Sequence, residues 1–168
     1  MNTILTRLKT LVTDNKNTSG TLSYIGSVEV THPNLILTTV FKPSLPKVCI
    51  WPGKTVEAWA ASQRKQATHQ VSAYLIMMYL QRETSIIGDT SRAGGQGKGI
   101  TNFVDDFIGA VRGTRLAVAG ENYLDRPLDI SSATYSDPSY QDDGHILVAR
   151  VDMTASRLFT QSTLPGDI

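Results

Sequence analysis

Apolar side chains recur with a helical period in two parts of the chain. Ile4, Leu5, Leu8, Leu11 and Val12 fall at i, i+1, i+4, i+7 and i+8, one face of a helix, with Arg7, Lys9 and Asp14 off the stripe. Asn2 or Thr3 stands where a side-chain oxygen can accept from a free backbone N–H, and the polar run Asp14 to Gly20 ends the element. Phe103, Val104, Phe107, Ile108 and Val111 repeat the stripe within a helix expected from Thr101 to Arg112. Thr101 is the expected cap and Gly113 the stop. Asp105 and Asp106 sit early, where the helix dipole favours acids, and Arg112 sits last, where it favours cations. Amphipathic helices this short need a surface to bury their stripe, and a sheet supplies one.

The strand signals lie between and after these helices. Thr21 to Val30 and Leu35 to Phe41 are short β-rich runs around a His32-Pro33-Asn34 turn. Pro43, Pro46 and Pro52 punctuate the next stretch and leave Lys47 to Trp51 as a short strand. Glu57 to Gln70 is ambiguous between helix, loop and strand start. The run Val71 to Leu80 fits a helical stripe (Val71, Tyr74, Leu75, Met78, Tyr79) and also two apolar strand faces. Both faces being apolar suits a central strand covered on both sides, and that is the preferred reading. Leu116 to Gly120 and Leu128 to Tyr135 are further strand candidates. Asp143-Gly144 marks a hairpin, after which Leu147, Ala149, Val151 and Met153 alternate with Val148, Arg150 and Asp152 in a final strand. The segment from about 159 to 168 has no period and is expected to be a loose tail. The pattern predicts one α+β domain, a mixed and mostly antiparallel sheet packed by two amphipathic helices.

Composition fits this. The 168 residues are 40% hydrophobic and 18% charged, a globular balance with material for a real core. The net charge is +1, so no whole-chain argument for nucleic-acid binding arises. Its distribution is uneven: residues 1–65 carry eight Lys/Arg against three Asp/Glu, and residues 102–152 carry four against nine. Opposed segments of this kind can steer association between copies or partners, and they also fit two solvated faces. Cys49 is the sole cysteine, so there is no internal disulfide; in the apolar run Val48 to Trp51 it reads as a buried, inert thiol. The N-terminus lacks the apolar core of a signal peptide, and no apolar run approaches the roughly 18 residues of a membrane helix. The expectation is a soluble protein made inside the cell, with no membrane contact.

Candidate chemistry is sparse. Gly88 to Gly99 ends in Gly97-Lys98 before a helix, as a phosphate cradle would. However, Arg92 stands where the first glycine of that motif belongs, and Gly99 stands where the metal-holding Ser or Thr belongs. A flexible loop from 88 to 99 that orders against a partner is the better reading, presenting Arg92 and Lys98. Asp137, Asp142, Asp143 and His145 match no zinc or EF-hand spacing and read as a solvated hairpin tip. No cofactor or metal is expected. His32, His69 and His145 show no local pairing with a nucleophile or carboxylate.

The order of elements resembles a known family. An N-terminal amphipathic helix (Ile4 to Val12) leads into a β-meander, then a Pro-bounded strand with an apolar-aromatic end (Val48 to Pro52), a long strand (Val71 to Leu80), a loop, a second amphipathic helix (Phe103 to Val111) and a closing hairpin (about Leu128 to Met153). This is similar to the tail terminator, neck and tail-completion proteins of long-tailed bacteriophages. The resemblance implies a virion structural protein and no enzyme: a small subunit, made in the host cytoplasm, that forms a homohexameric ring at the head-proximal end of the tail tube. There the ring would stop tube polymerisation and offer the head–tail joining surface. Its partners would be copies of itself, the tail tube protein and the head–tail connector or adaptor, with DNA passing through the lumen without sequence-specific binding. Arg92 and Lys98 would then meet acidic groups of a neighbour such as Asp105, Asp106 or Asp142, with Asp143 at the same hairpin tip.

Three alternatives stay open at this point. One is another ring-forming virion component, such as a head–tail adaptor or a sheath or baseplate initiator. A second is a small hydrolase-type enzyme using His69 or His145 beside a carboxylate. The third is a nucleic-acid binder using Lys42, Lys47, Lys54, Arg64 and Lys65.

Overall fold

The computed structural model describes residues 1–18, 20–32, 45–61, 64–79, 86–88, 97–117, 120–137, 139–141 and 144–160. In chain order they form α1 (Asn2–Asn17), β1 (Ser27–Val30), β2 (Lys47–Ala61), β3 (Arg64–Tyr79), α2 (Ile100–Val111), β4 (Asp129–Tyr135), β5 (Ser139–Gln141) and β6 (Gly144–Thr160). The strands make one sheet in the order β1-β2-β3-β6-β4, with β5 beside the start of β6. Among the described strands only the β1–β2 pair is parallel; the other pairs are antiparallel. This is the expected α+β domain with a mixed, mostly antiparallel sheet and two amphipathic helices.

Both helices lie on one face of the sheet. Val48 and Ile50 of β2, Val71, Ala73, Leu75 and Met77 of β3, and Leu147, Ala149, Val151 and Met153 of β6 alternate onto that face. They close a core with Ile4, Leu5, Leu8 and Val12 of α1 and Phe103, Val104, Phe107 and Val111 of α2. The alternation is the strand period, so the run from Val71 is a strand, the preferred of its two readings. Its other face carries Tyr74, Ile76 and Met78. There Ile76 joins Cys49 and Ile146 in a smaller buried cluster.

The helix boundaries shift from those expected, for local reasons. Met1, not Asn2 or Thr3, is the N-cap of α1, without a side-chain bond, and the helix continues through Asp14 to Asn17. The Thr18 hydroxyl donates to the Asp14 carbonyl at its end. Gly99, not Thr101, precedes α2. The Asn102 side chain reaches back to accept from the Gly99 N–H, and the Thr101 hydroxyl donates to the Ile86 carbonyl instead. Gly113 ends α2 at a φ of 77°, the left-handed conformation that favours glycine.

Several strands also differ. Thr21 to Val30 holds a strand only from Ser27, because residues 21–24 turn. Leu35 to Phe41 lies outside the described residues. Pro52 does not end its strand: β2 sits at the edge of the sheet beyond Ile50, where a missing N–H costs no ladder bond, and it continues to Ala61. Glu57 to Gln70 therefore resolves into the two arms of a long hairpin. Leu116 is buried at a φ of 50° and belongs to no strand. Phe159 and Thr160 are the end of β6, paired with Lys65 and Arg64, so that part of the expected tail is ordered sheet; residues 161–168 lie outside the described residues.

Phe107 is fully buried where α2 meets the sheet. Phe107→Ala is expected to cost about 3–5 kcal/mol through lost transfer energy and a residual cavity. Urea denaturation should show this as a lower midpoint at an unchanged slope.

Candidate functional site

The hairpin of β2 and β3, backed by the end of β6, forms an arm. β1 covers the edge of β2 only from Lys47 to Ile50, and bulges at Pro52/Thr55 and Trp59/Ala61 bracket a regular stretch, Thr55 to Trp59. Every residue from Gly53 to Ala60 is exposed. Val56 is 47% and Trp59 62% exposed, and Leu158, on the adjoining part of β6, is 38% exposed. The register assigns them to faces. Thr55 pairs with His69, which pairs with the buried Ala155, so Thr55, Glu57 and Trp59 share the helix-bearing face. Val56, Ala58 and Leu158 lie on the opposite face. The arm is basic: Lys54, Arg64 and Lys65 stand against Glu57, and the Lys65 ammonium lies 5.0 Å over the Trp59 ring.

The other flank of the molecule is acidic. β4 is the far edge strand, and all its residues but Ile130 are exposed. Asp129 begins it, Asp137 follows it, and Asp105 projects from α2 into solvent. Burial and then the nearby Asp105 charge raise the pKa of Tyr135, at the end of β4.

Lys98 and Asp106, expected to reach a neighbouring copy, meet each other instead. The Lys98 ammonium pairs with the Asp106 carboxylate, which also accepts from the Tyr24 hydroxyl at 3.0 Å. The same ammonium lies 4.9 Å over the Tyr24 ring, and that ring stands edge-on to Phe103 at 5.7 Å. The neck of the loop is closed as well. A side chain on Gly88 would strike the Gly97 carbonyl, and one on Gly99 would strike the backbone of Ile86 and Gly88. Lys98 is therefore a strut between the loop's end, α2 and the segment before β1. Of the other expected interface residues, Asp105 is exposed, and Arg92, Asp142 and Asp143 lie outside the described residues.

The helix-free face carries a polar network at its centre. Asp152 accepts from Ser72 Oγ at 2.6 Å, Arg150 Nε at 2.8 Å and Ser132 Oγ at 3.3 Å. Burial pushes the Asp152 carboxyl up, but the bonds from Ser72 and Arg150 outweigh it and hold the carboxyl below its ordinary value. His32 stands edge-on to Trp51 at 4.7 Å. His69 is buried, and its Nδ1 is 3.0 Å from the Thr55 hydroxyl, so its nearest polar partner is a neutral side chain rather than a carboxylate. Lys47 is buried and paired with Glu29 at 2.8 Å, which takes it out of any basic binding surface. A separate pocket of about 430 Å³ lies beside Tyr123, whose ring has the Arg7 and Arg157 guanidiniums 4.4 and 4.3 Å from its centroid.

The arm escapes a reading of the sequence because a strand bare on both faces needs no alternation. Its one signal is Trp59 among small and polar residues, an aromatic with no stripe to join. No protein-family model matches the chain, and no curated protein matches it.

Two outcomes test these environments. Because the Asp152 pKa is depressed on folding, its contribution is present above the unfolded value of about 3.9 and lost as pH falls through the lower folded value. Asp152→Asn should destabilise most near neutral pH, and the gap from the parent should narrow in urea denaturation at about pH 3. Cys49 is fully buried, and burial raises its thiol to about 12, with Lys47 opposing weakly. Iodoacetamide at neutral pH should leave it unlabelled in the native protein and label it fully in urea.

Proposed function

We propose that the chain is a structural subunit of a bacteriophage tail, one copy of a ring at the head-proximal end of the tail tube that ends tube growth and offers the head-joining surface. The observation that carries this is the arm. Its outer strand is bare on both faces, with Trp59 exposed on the helix-bearing face and Val56 on the other, where Leu158 of β6 is exposed as well. Exposed apolar side chains on an arm with no core of its own suit a surface that a protein partner covers. Charge adds direction: a basic arm at one edge of the sheet and an acidic flank at the other suit head-to-tail contact, which closes rings. The order of elements also supports the reading, since a helix, strands, a second helix and a closing hairpin follow one another, the order on which the resemblance rests.

The direct test is to locate the chain in particles. Electron microscopy of virions should place it as sixfold ring density at the upper end of the tail tube. Host cells producing particles without it should accumulate tails of uneven length that fail to join heads. Its absence from head, neck and tail of the purified particle would overturn the reading.

A further inference from the structure

We propose that copies of this chain join edge to edge. The bare stretch of β2, Thr55 to Trp59, takes up β4 of the next copy, Ser132 to Tyr135, so that one sheet runs on from subunit to subunit. The inference rests on the ring reading above and names the contact that would build the ring.

Among the described residues, both ends of the sheet are open where this contact needs them. No described residue pairs with the outer edge of β2 beyond Thr31, whose N–H reaches the Ile50 carbonyl, or with the outer edge of β4. An open edge presents a row of backbone donors and acceptors that another strand can satisfy, and proteins that stay apart block such edges with lysine, proline, bulges or covering loops. β4 has none of these in its outer half: Ser132 to Tyr135 is regular, uncharged and without proline. Thr55 to Trp59 is likewise regular in register between its two flanking bulges.

Strand direction selects the geometry. β2 is antiparallel to β3, β3 to β6 and β6 to β4, so β2 and β4 run in opposite directions. Two copies with the same face up, one slid along the strand direction past the other's β1, therefore bring β4 of one against the arm of β2 in the next as an antiparallel pair, without turning either over. The incoming strand extends the row that β1 begins along β2. Charge selects this pairing over its rivals. A twofold contact between two β2 edges would bring Lys54 and Lys65 of both copies together, and a contact between two β4 edges would double Asp129 at an already acidic flank. The β2–β4 contact joins basic to acidic and repeats in one direction, as a closed ring demands.

The faces make the contact testable by register. Val56 and Ala58 lie on the helix-free face, as does Thr134, which pairs with Arg150; Glu57 lies on the helix-bearing face. A continuous sheet brings same-face residues together and keeps opposite-face residues apart. Double variants Ala58→Cys/Thr134→Cys and Val56→Cys/Thr134→Cys, oxidised with a disulfide catalyst at high protein concentration, should give a ladder of linked dimers and higher species. Glu57→Cys/Thr134→Cys should not. All three positions on β2 and Thr134 are exposed, and melting curves check that each variant folds. Hydrogen exchange of the parent gives a second measure: amides in Thr55–Trp59 and Ser132–Tyr135 should slow together on assembly. An oligomer that forms without same-face links, or with same-face and mixed-face links alike, overturns the edge contact and leaves the ring standing. A protein that stays monomeric, unlinked and without slowed exchange even when bound to purified tail tubes overturns both.

Discussion

The antiparallel ladder between β3 and β6 is the constraint on which the rest of the structure depends. Each residue of β3, from Arg64 to Tyr79, faces a residue of β6, from Thr160 to His145, without a bulge. Side chains alternate faces along both strands, so a slip of one residue would carry Val71, Ala73, Leu75 and Met77 out of the core together. The hydrophobic pattern thus fixes the register, and the register places the rest. β2 hangs on one side of β3, β4 and β5 hang on the far side of β6, and both helices lie across the face that the ladder makes apolar. Beyond the helices the same ladder continues into the arm, where it supports a strand that has no core of its own.

How much of this was legible depends on what each residue faces. The helix stripes and the β6 alternation were readable because one face of each is buried and the other wet. The stretch from Val71 was harder, since apolar residues on both faces fit two periods; its place between β2 and β6 decides it. The arm was not legible, because exposed strand residues obey no hydrophobic pattern, and Pro52-Gly53 reads as a stop in a sequence although an edge strand accepts it. The Lys98–Asp106 pair was visible as two charged residues but not as a contact within the chain. Its third member, Tyr24, arrives from 82 residues away, and only the fold brings it there.

That cluster also ties the described residues on either side of 89–96 to one another and to α2. Gly88 and Gly97 meet at close range, the Thr101 hydroxyl holds the Ile86 carbonyl, and Lys98 is tied to α2 through Asp106. With both ends held at one point, the cost of closing the loop falls on a local neck rather than on the sheet.

The two edges of the sheet place different demands on the sequence. An edge that pairs must stay regular, yet a regular edge also pairs with wrong partners during folding and at high concentration. β2 limits this with charge, since Lys54 and the neighbouring Lys65 make the arm basic, which disfavours a second arm and tolerates an acidic strand. β4 carries Asp129 at its start and relies on surrounding acids, Asp105 on α2 and Asp137 beyond its end, to discourage its own kind. Neither edge gives up its backbone row to gain this protection. Discrimination comes from side chains that flank the row, while no described residue occupies the hydrogen-bonding groups within it. The same arrangement makes the preference sensitive to ionic strength, because exposed charges of this kind lose their reach over about 10 Å in 0.1 M salt. The backbone complementarity beneath them does not.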